Sequence, residues 1–172
     1  MSTNLGMPRV GRKRELKFAT EKYWRQQITA SELLSSATDV VEDIYNQQVI
    51  AGIDLIPVND FSFYDRVLDL CCLLGITPKR FQKNVPSLYL DEYFRLARGD
   101  GDIAAMEMTK WFDTNYHYLV PEVEATSNPA FSDQLFAQQI LPELDAEKQK
   151  FCLIGPVTFL ALAKGADSVD KL

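Results

Sequence analysis

Histidine and cysteine are nearly missing from this chain, with one histidine, His117, and three cysteines among 172 residues. Cys71 and Cys72 are adjacent and Cys152 stands apart, which leaves neither a spaced metal motif nor a disulfide framework and suits a reducing compartment. Long apolar runs are missing too. No segment approaches the roughly 20 apolar residues of a membrane span, and the amino terminus, MSTNLGMPRVGRKRELK, has no apolar signal region. A cytoplasmic protein without a membrane partner is expected. Positive charge is outnumbered, 18 Lys and Arg against 24 Asp and Glu, for a formal net charge of −6. Such a field repels nucleic acid and anionic lipid, so neither is an expected partner and any anion site must be local. Internal repeats, low-complexity tracts and interdomain linkers are absent, and the stretch LIGPVTF lacks the spaced glycines and Lys-Ser/Thr ending of a phosphate loop.

What the chain does have is 47% hydrophobic and 11% aromatic residues, enough for one ordinary core and a single domain over residues 1–172. Asn4 to Val10 reads as a first strand and Lys13 to Gln27 as a helix. Thr29 and Glu32 form a capping-box pair, and Leu33, Leu34, Ala37, Val40, Val41, Ile44 and Tyr45 then recur at helical spacing up to Gly52. Ile53 to Asp60 is a short buried-strand pattern that opens into polar turn residues. A helix is expected from Ser62, with Asp65 three residues on, and it ends at Gly75. A third helix spans Ser87 to Arg98. The loop GDGDIAA and the extended, aromatic EMTKWFDTNYHYLVPEV follow. Phe131 to Gln149 reads as a helix kinked at Pro142, and Phe151 to Ile154 as a last buried strand before a Gly-Pro break and an apolar helix start.

Strands that alternate with helices must cross over, which favours an α/β fold with a parallel sheet. About four strands fit a small open sheet or half of a (β/α)8 barrel, whose full form takes roughly 250 residues.

Chemistry concentrates in two stretches. VGRKRELKF, Val10 to Phe18, crowds Arg12, Lys13, Arg14 and Lys17 at a helix start, where free N–H groups and the positive end of the dipole favour anions. Arg14 and Lys17, three apart, project from one side and can clamp successive carboxylates or phosphates. Solvated cations contribute only about 0.2–1 kcal/mol each, so charge alone favours a solvated helix start with Glu15 among its partners. The second stretch, MEMTKWFDTNYHY, sets Lys110, Asp113, Asn115 and His117 among four aromatics. Lys110 and Asp113 fall on opposite faces of an extended chain. A lone histidine without a second ligand at metal spacing is more often structural, so His117 receives no catalytic role. Asp54, Asp60 and Asp65 read as turn and cap residues, and Cys71 and Cys72 as packed. No nucleophile, base and orienting group assemble, so no catalytic and no metal-binding residue is assigned.

The strings NLGMPRVGRKRELK, AGIDLIPVNDFSFYDRVLD and AMEMTKWFDTNYHYLVPE resemble the amino-terminal domain of the cobalamin-independent methionine synthases. The likeness runs from Asn4 to about Lys164. It implies an α/β fold that is a partial (β/α)8 TIM barrel, roughly the first half of the family's amino-terminal barrel. It further implies a part in methyl transfer from 5-methyltetrahydropteroyltriglutamate to homocysteine, without cobalamin. The family's second barrel holds the catalytic zinc, which activates homocysteine as a thiolate. The family's Arg-Glu-Leu-Lys motif matches Arg14, Glu15, Leu16 and Lys17, and the lysine of its Met-Thr-Lys-Trp-Phe segment matches Lys110. By resemblance these bind the folate triglutamate tail, while Arg12 and Lys13 remain solvated neighbours.

The family continues where this sequence stops at Leu172, so the zinc ligands, the homocysteine site and most of the pterin site are expected outside it, and the segment alone is expected to be inactive. Val10 replaces a common isoleucine, and EDIYNQQVIAG stands where the family usually has a Trp-containing helix. Half a barrel exposes sheet edges and apolar surface, which predicts poor stability or self-association. The alternative is a stand-alone, non-catalytic folate- or anion-binding or regulatory half-barrel. An unrelated small α/β enzyme using Lys110 and Asp113 requires the long motif matches to be coincidence.

Overall fold

The structure is a computed structural model that describes residues 1–82, 89–124, 129–130 and 146–165. In chain order its elements are α1 (Glu15–Trp24), α2 (Ala30–Ile50), β1 (Ile56–Pro57), α3 (Arg66–Leu73), α4 (Tyr89–Arg98), β2 (Met108–Lys110), β3 (His117–Leu119), β4 (Gln149–Lys150) and α5 (Pro156–Leu162), with short 3-10 turns at Lys79–Phe81 and Ala146–Lys148. The chain divides into two compact units, Met1–Phe63 with Gln139–Leu153, and Tyr64–Gln138 with Ile154–Leu172. Among the described residues no helix is long and apolar enough to cross a membrane.

In the first unit α2 forms as its sequence spacing predicts. The Glu32 N–H donates to Thr29 Oγ1 at 3.2 Å, and Glu32 Oε2 accepts the Thr29 N–H at 2.7 Å, closing the capping box. Leu33, Ala37, Val40, Val41 and Ile44 lie buried along one stripe, and α1 packs against α2, with its own Leu16, Ala19 and Thr20 buried. Leu33 and Leu16 are almost wholly excluded from water, a burial that stabilises by about 1.5–3 kcal/mol per side chain.

The strands of this unit are shorter than the sequence suggests. The expected first strand, Asn4 to Val10, does not form, and among the described residues the only pairing nearby is a single parallel bridge just before it, between Thr3 and Leu55. Asn4 Oδ1 accepts the Gly6 N–H at 2.8 Å and Gly6 takes a φ of 124°, so the segment turns instead of extending. The run Ile53 to Asp60 contributes only β1, which pairs in parallel with β4 in the register Ile56 to Gln149 and Pro57 to Lys150. The last strand therefore lies at Gln149–Lys150 and not at Phe151 to Ile154. Nor is that apolar run buried, since Phe151 is 47% and Leu153 66% exposed. Beyond the ladder a side chain takes over: Asn59 Nδ2 donates to the Cys152 carbonyl at 3.1 Å, and the Cys152 N–H donates to Asn59 Oδ1 at 2.7 Å. Apart from residues 146–149, the helix expected over Phe131 to Gln149 falls outside the described residues.

In the second unit α3 begins at Arg66, not at Ser62. Asp65 is its N-cap, in extended geometry, and Asp65 Oδ2 accepts the Leu68 N–H at 3.0 Å. α4 lies within the helix expected over Ser87 to Arg98 and buries Leu90, Tyr93, Phe94, Leu96 and Ala97. The stretch expected as extended chain folds back on itself. β2 and β3 form an antiparallel hairpin, Met108 opposite Leu119 and Lys110 opposite His117, closed by a turn that starts at Trp111. Glu122 and Lys164 form a further parallel bridge. Among the described residues the result is a mixed α/β fold with two two-stranded sheets, one parallel and one antiparallel, in place of a single four-stranded parallel sheet.

Candidate anion-binding site

The basic stretch forms a tight turn into α1. The Arg14 N–H donates to the Gly11 carbonyl at 3.2 Å, and the Leu16 N–H to the Val10 carbonyl at 3.2 Å. Gly11 sits at a φ of 81° and Arg14, the N-cap, at 64°, in the left-handed region that a side chain occupies at a cost of roughly 1–2 kcal/mol. Arg14 has no side-chain capping bond and is exposed, so its guanidinium projects to solvent beside the start of the helix. Lys17, also exposed, lies 3.8 Å from Glu21 one turn on. Leu16, matched to the same family motif, is buried and its N–H is taken by the Val10 carbonyl, so neither its side chain nor its N–H is open to a ligand. Glu15 turns its carboxylate back, and its Oε2 accepts the Lys13 N–H at 2.9 Å. Arg12, expected as a solvated neighbour, instead makes a two-pronged ion pair with Asp43 of α2, at 3.1 and 3.3 Å. No local pattern joins residues 31 apart.

Lys110 belongs to the second unit, where it ends β2 with its side chain exposed. Its cross-strand partner is His117, whose Nδ1 faces the Asn115 carbonyl at 3.1 Å. Asp113 lies in the turn. Trp111 packs edge-to-face against Phe112, Tyr116 and Tyr118 at centroid separations of 5.5, 6.4 and 5.7 Å, and Phe112 takes a φ of 50°. The hairpin is held by a residue that sequence reading treated only as a cap. Besides capping α3, Asp65 accepts the Tyr116 hydroxyl at 2.5 Å and the Leu119 N–H at 3.1 Å. Its partners are 51 and 54 residues away, beyond the reach of any spacing rule.

Among the described residues the chain is a mixed α/β protein with two exposed cations, Arg14 and Lys17, one turn apart at the start of α1. More narrowly, a family model described as "Cobalamin-independent synthase, N-terminal domain" matches residues 1–172, and the chain belongs to that family. It is 48% identical over 171 residues to the 5-methyltetrahydropteroyltriglutamate–homocysteine methyltransferase of Neisseria meningitidis serogroup B, covering 97% of this chain and 22% of that protein. The like-named protein of Listeria innocua serovar 6a is 48% identical over 171 residues, covering 98% and 22%. That of Mycobacterium leprae is 49% identical over 169 residues, covering 95% and 21%. The chain thus spans about a fifth of the length of the curated relatives it matches.

The resemblance places the family's zinc in a second barrel, and the described residues of this chain do not fit a zinc ion. Burial, reinforced by the charges of Asp65 and Asp69, pushes the Cys71 thiol far up, and burial likewise raises Cys72, so neither offers a ready thiolate. The Cys152 backbone is held by Asn59, and His117 is exposed on the hairpin. Among the described residues no group of three or more His, Cys, Asp or Glu is arranged to hold a metal ion.

Proposed function

We propose that this chain serves as the amino-terminal portion of a cobalamin-independent methionine synthase, which transfers the methyl group of 5-methyltetrahydropteroyltriglutamate to homocysteine to form methionine. In this reading the segment adopts roughly the first half of a (β/α)8 barrel, binds the triglutamate tail and scaffolds a catalytic domain that carries zinc and the homocysteine site. The observation that carries the tail reading is the exposed Arg14 at the N-cap of α1 with exposed Lys17 one turn on. A γ-linked triglutamate offers several carboxylates along a flexible chain, and spaced cations at a helix start suit such a ligand. Lys110 is assigned to the same tail on the family motif. Leu16 contributes indirectly, as the buried side chain that seats the start of α1.

The role is one of affinity. Contacts remote from the reacting carbon act largely as uniform binding, so they lower KM and leave kcat little changed. Calorimetric titration of the complete enzyme with mono- and triglutamyl folate tests this. Replacing Lys17 or Lys110 by Ala is expected to weaken the triglutamyl form by about 2- to 5-fold and to leave the monoglutamyl form unchanged. An unaltered preference for the longer tail in both variants rules the assignment out.

A further inference from the structure

Glu15 stands out in the proposed tail site because its sign is wrong for a direct contact. A carboxylate at the mouth of an anion site repels the ligand's own carboxylates, yet Glu15 lies between the two cations in sequence and is exposed. Its position explains why. Oε2 accepts the Lys13 N–H at 2.9 Å, and it occupies the space that a side chain on residue 11 would need: a Cβ on Gly11 would lie 2.2 Å from that oxygen. Gly11 also requires a φ of 81°, and three residues later Arg14 is held at 64°. Glycine at 11 and glutamate at 15 therefore form one latch across the turn. Glycine leaves the room, and the carboxylate fills it and ties down the backbone between them.

Resting on the tail-binding reading, we propose that Glu15 is a positioning residue. Its carboxylate fixes the Gly11–Arg14 turn so that Arg14 is presented, at a strained left-handed backbone, to the ligand, and Glu15 itself makes no attractive contact with the tail. The strain at Arg14 is the cost of holding one orientation of its side chain, and the Glu15 bond to Lys13 offsets part of it. Preorganisation of this kind appears in affinity for the multiply charged ligand and not in the chemical step.

The requirement on Glu15 is then an acceptor atom of the right length, not a charge, and this separates the role from others. In the complete enzyme, Glu15→Gln keeps an oxygen for the Lys13 N–H and removes a charge. It is expected to retain or strengthen the preference for triglutamyl over monoglutamyl substrate. Glu15→Ala loses the acceptor and is expected to raise KM for the triglutamyl substrate about 3- to 10-fold, with KM for the monoglutamyl form and kcat unchanged. Gly11→Ala expels the carboxylate and adds the strain of a side chain at a left-handed φ, so it is expected to lose the tail preference at least as far as Glu15→Ala does, and adding Glu15→Ala to it is expected to cost nothing more. If Glu15 merely stabilises the helix, Glu15→Ala lowers Tm while the ratio of the two KM values stays put, which overturns the proposal. So does a Glu15→Gln variant as impaired as Glu15→Ala. Lys17→Ala serves as the control. If it and Lys110→Ala both leave the tail preference intact, the tail reading falls and this inference with it. If Lys17→Ala abolishes the preference and Glu15→Ala preserves it, this inference alone falls.

Discussion

Asp65 is 2% exposed and yet carries a carboxylate, which is tolerable only because its oxygens are matched: Leu68 N–H, Leu119 N–H and the Tyr116 hydroxyl all donate to it. One side chain thereby starts α3 and anchors the hairpin that bears Lys110. Asp65→Ala leaves two buried N–H groups without a partner and removes a cap. Chemical denaturation is expected to show a loss of about 2–4 kcal/mol. Asp65→Asn can satisfy fewer of these donors and should fall between the two. The sequence shows Asp65 as a capping residue, although the Ser62–Asp65 spacing puts the helix start too early. It does not show the anchoring, because that bond closes a loop of more than 50 residues and has no local signature. The same limit hides the Arg12–Asp43 pair and so leaves Arg12 looking like a solvated neighbour of the clamp.

At the scale of elements, helices are legible and strands are not. The α2 stripe and its capping box follow from spacing within one segment, and the structure reproduces both. Strand partners come from distant segments, so an apolar run such as Phe151 to Ile154 looks like a buried strand yet lies largely exposed, one step past the paired residues. The hairpin has no local signature because its turn, Trp111 to Tyr116, contains no glycine; Phe112 supplies the positive φ that glycine usually provides. Two predictions belong here. Leu33→Ala, at a fully buried position of α2, is expected to cost about 2–5 kcal/mol in denaturant unfolding. The capping box is pH-sensitive in a defined direction. The bond from the Thr29 backbone N–H, and after it that from the Thr29 hydroxyl, holds the Glu32 carboxyl below its usual range. Its contribution is therefore complete above the ordinary glutamate pKa and is lost as the pH falls through the lowered folded value. Amide exchange at the first turn of α2 should rise over that acid range, and Glu32→Gln should flatten the dependence.

For the whole molecule, the three long motifs carry the resemblance to the family, and the match over residues 1–172 shows the family. The proposed half-barrel carries a consequence for the isolated chain. Phe112 and Val157 are 71% and 80% exposed, and the strands are two or three residues long. Short ladders and exposed apolar side chains favour association. Sedimentation of the 172-residue chain by itself is expected to show concentration-dependent oligomers with broad thermal unfolding; a sharp monomer with cooperative unfolding contradicts this.

The Asn59 side chain that continues the ladder beyond β4 ties the chain after Lys150 to the chemical state of one side-chain amide. Its amide works in both directions at once, donating to the Cys152 carbonyl and accepting the Cys152 N–H. Slow hydrolysis of that amide to a carboxylate exchanges one NH2 for an oxygen. The accepting half survives, and the donating half becomes two oxygens pressed together. An aged protein carrying aspartate at 59 is thus expected to release the chain after Lys150, and Asn59→Asp should reproduce the effect with a loss of about 1–3 kcal/mol.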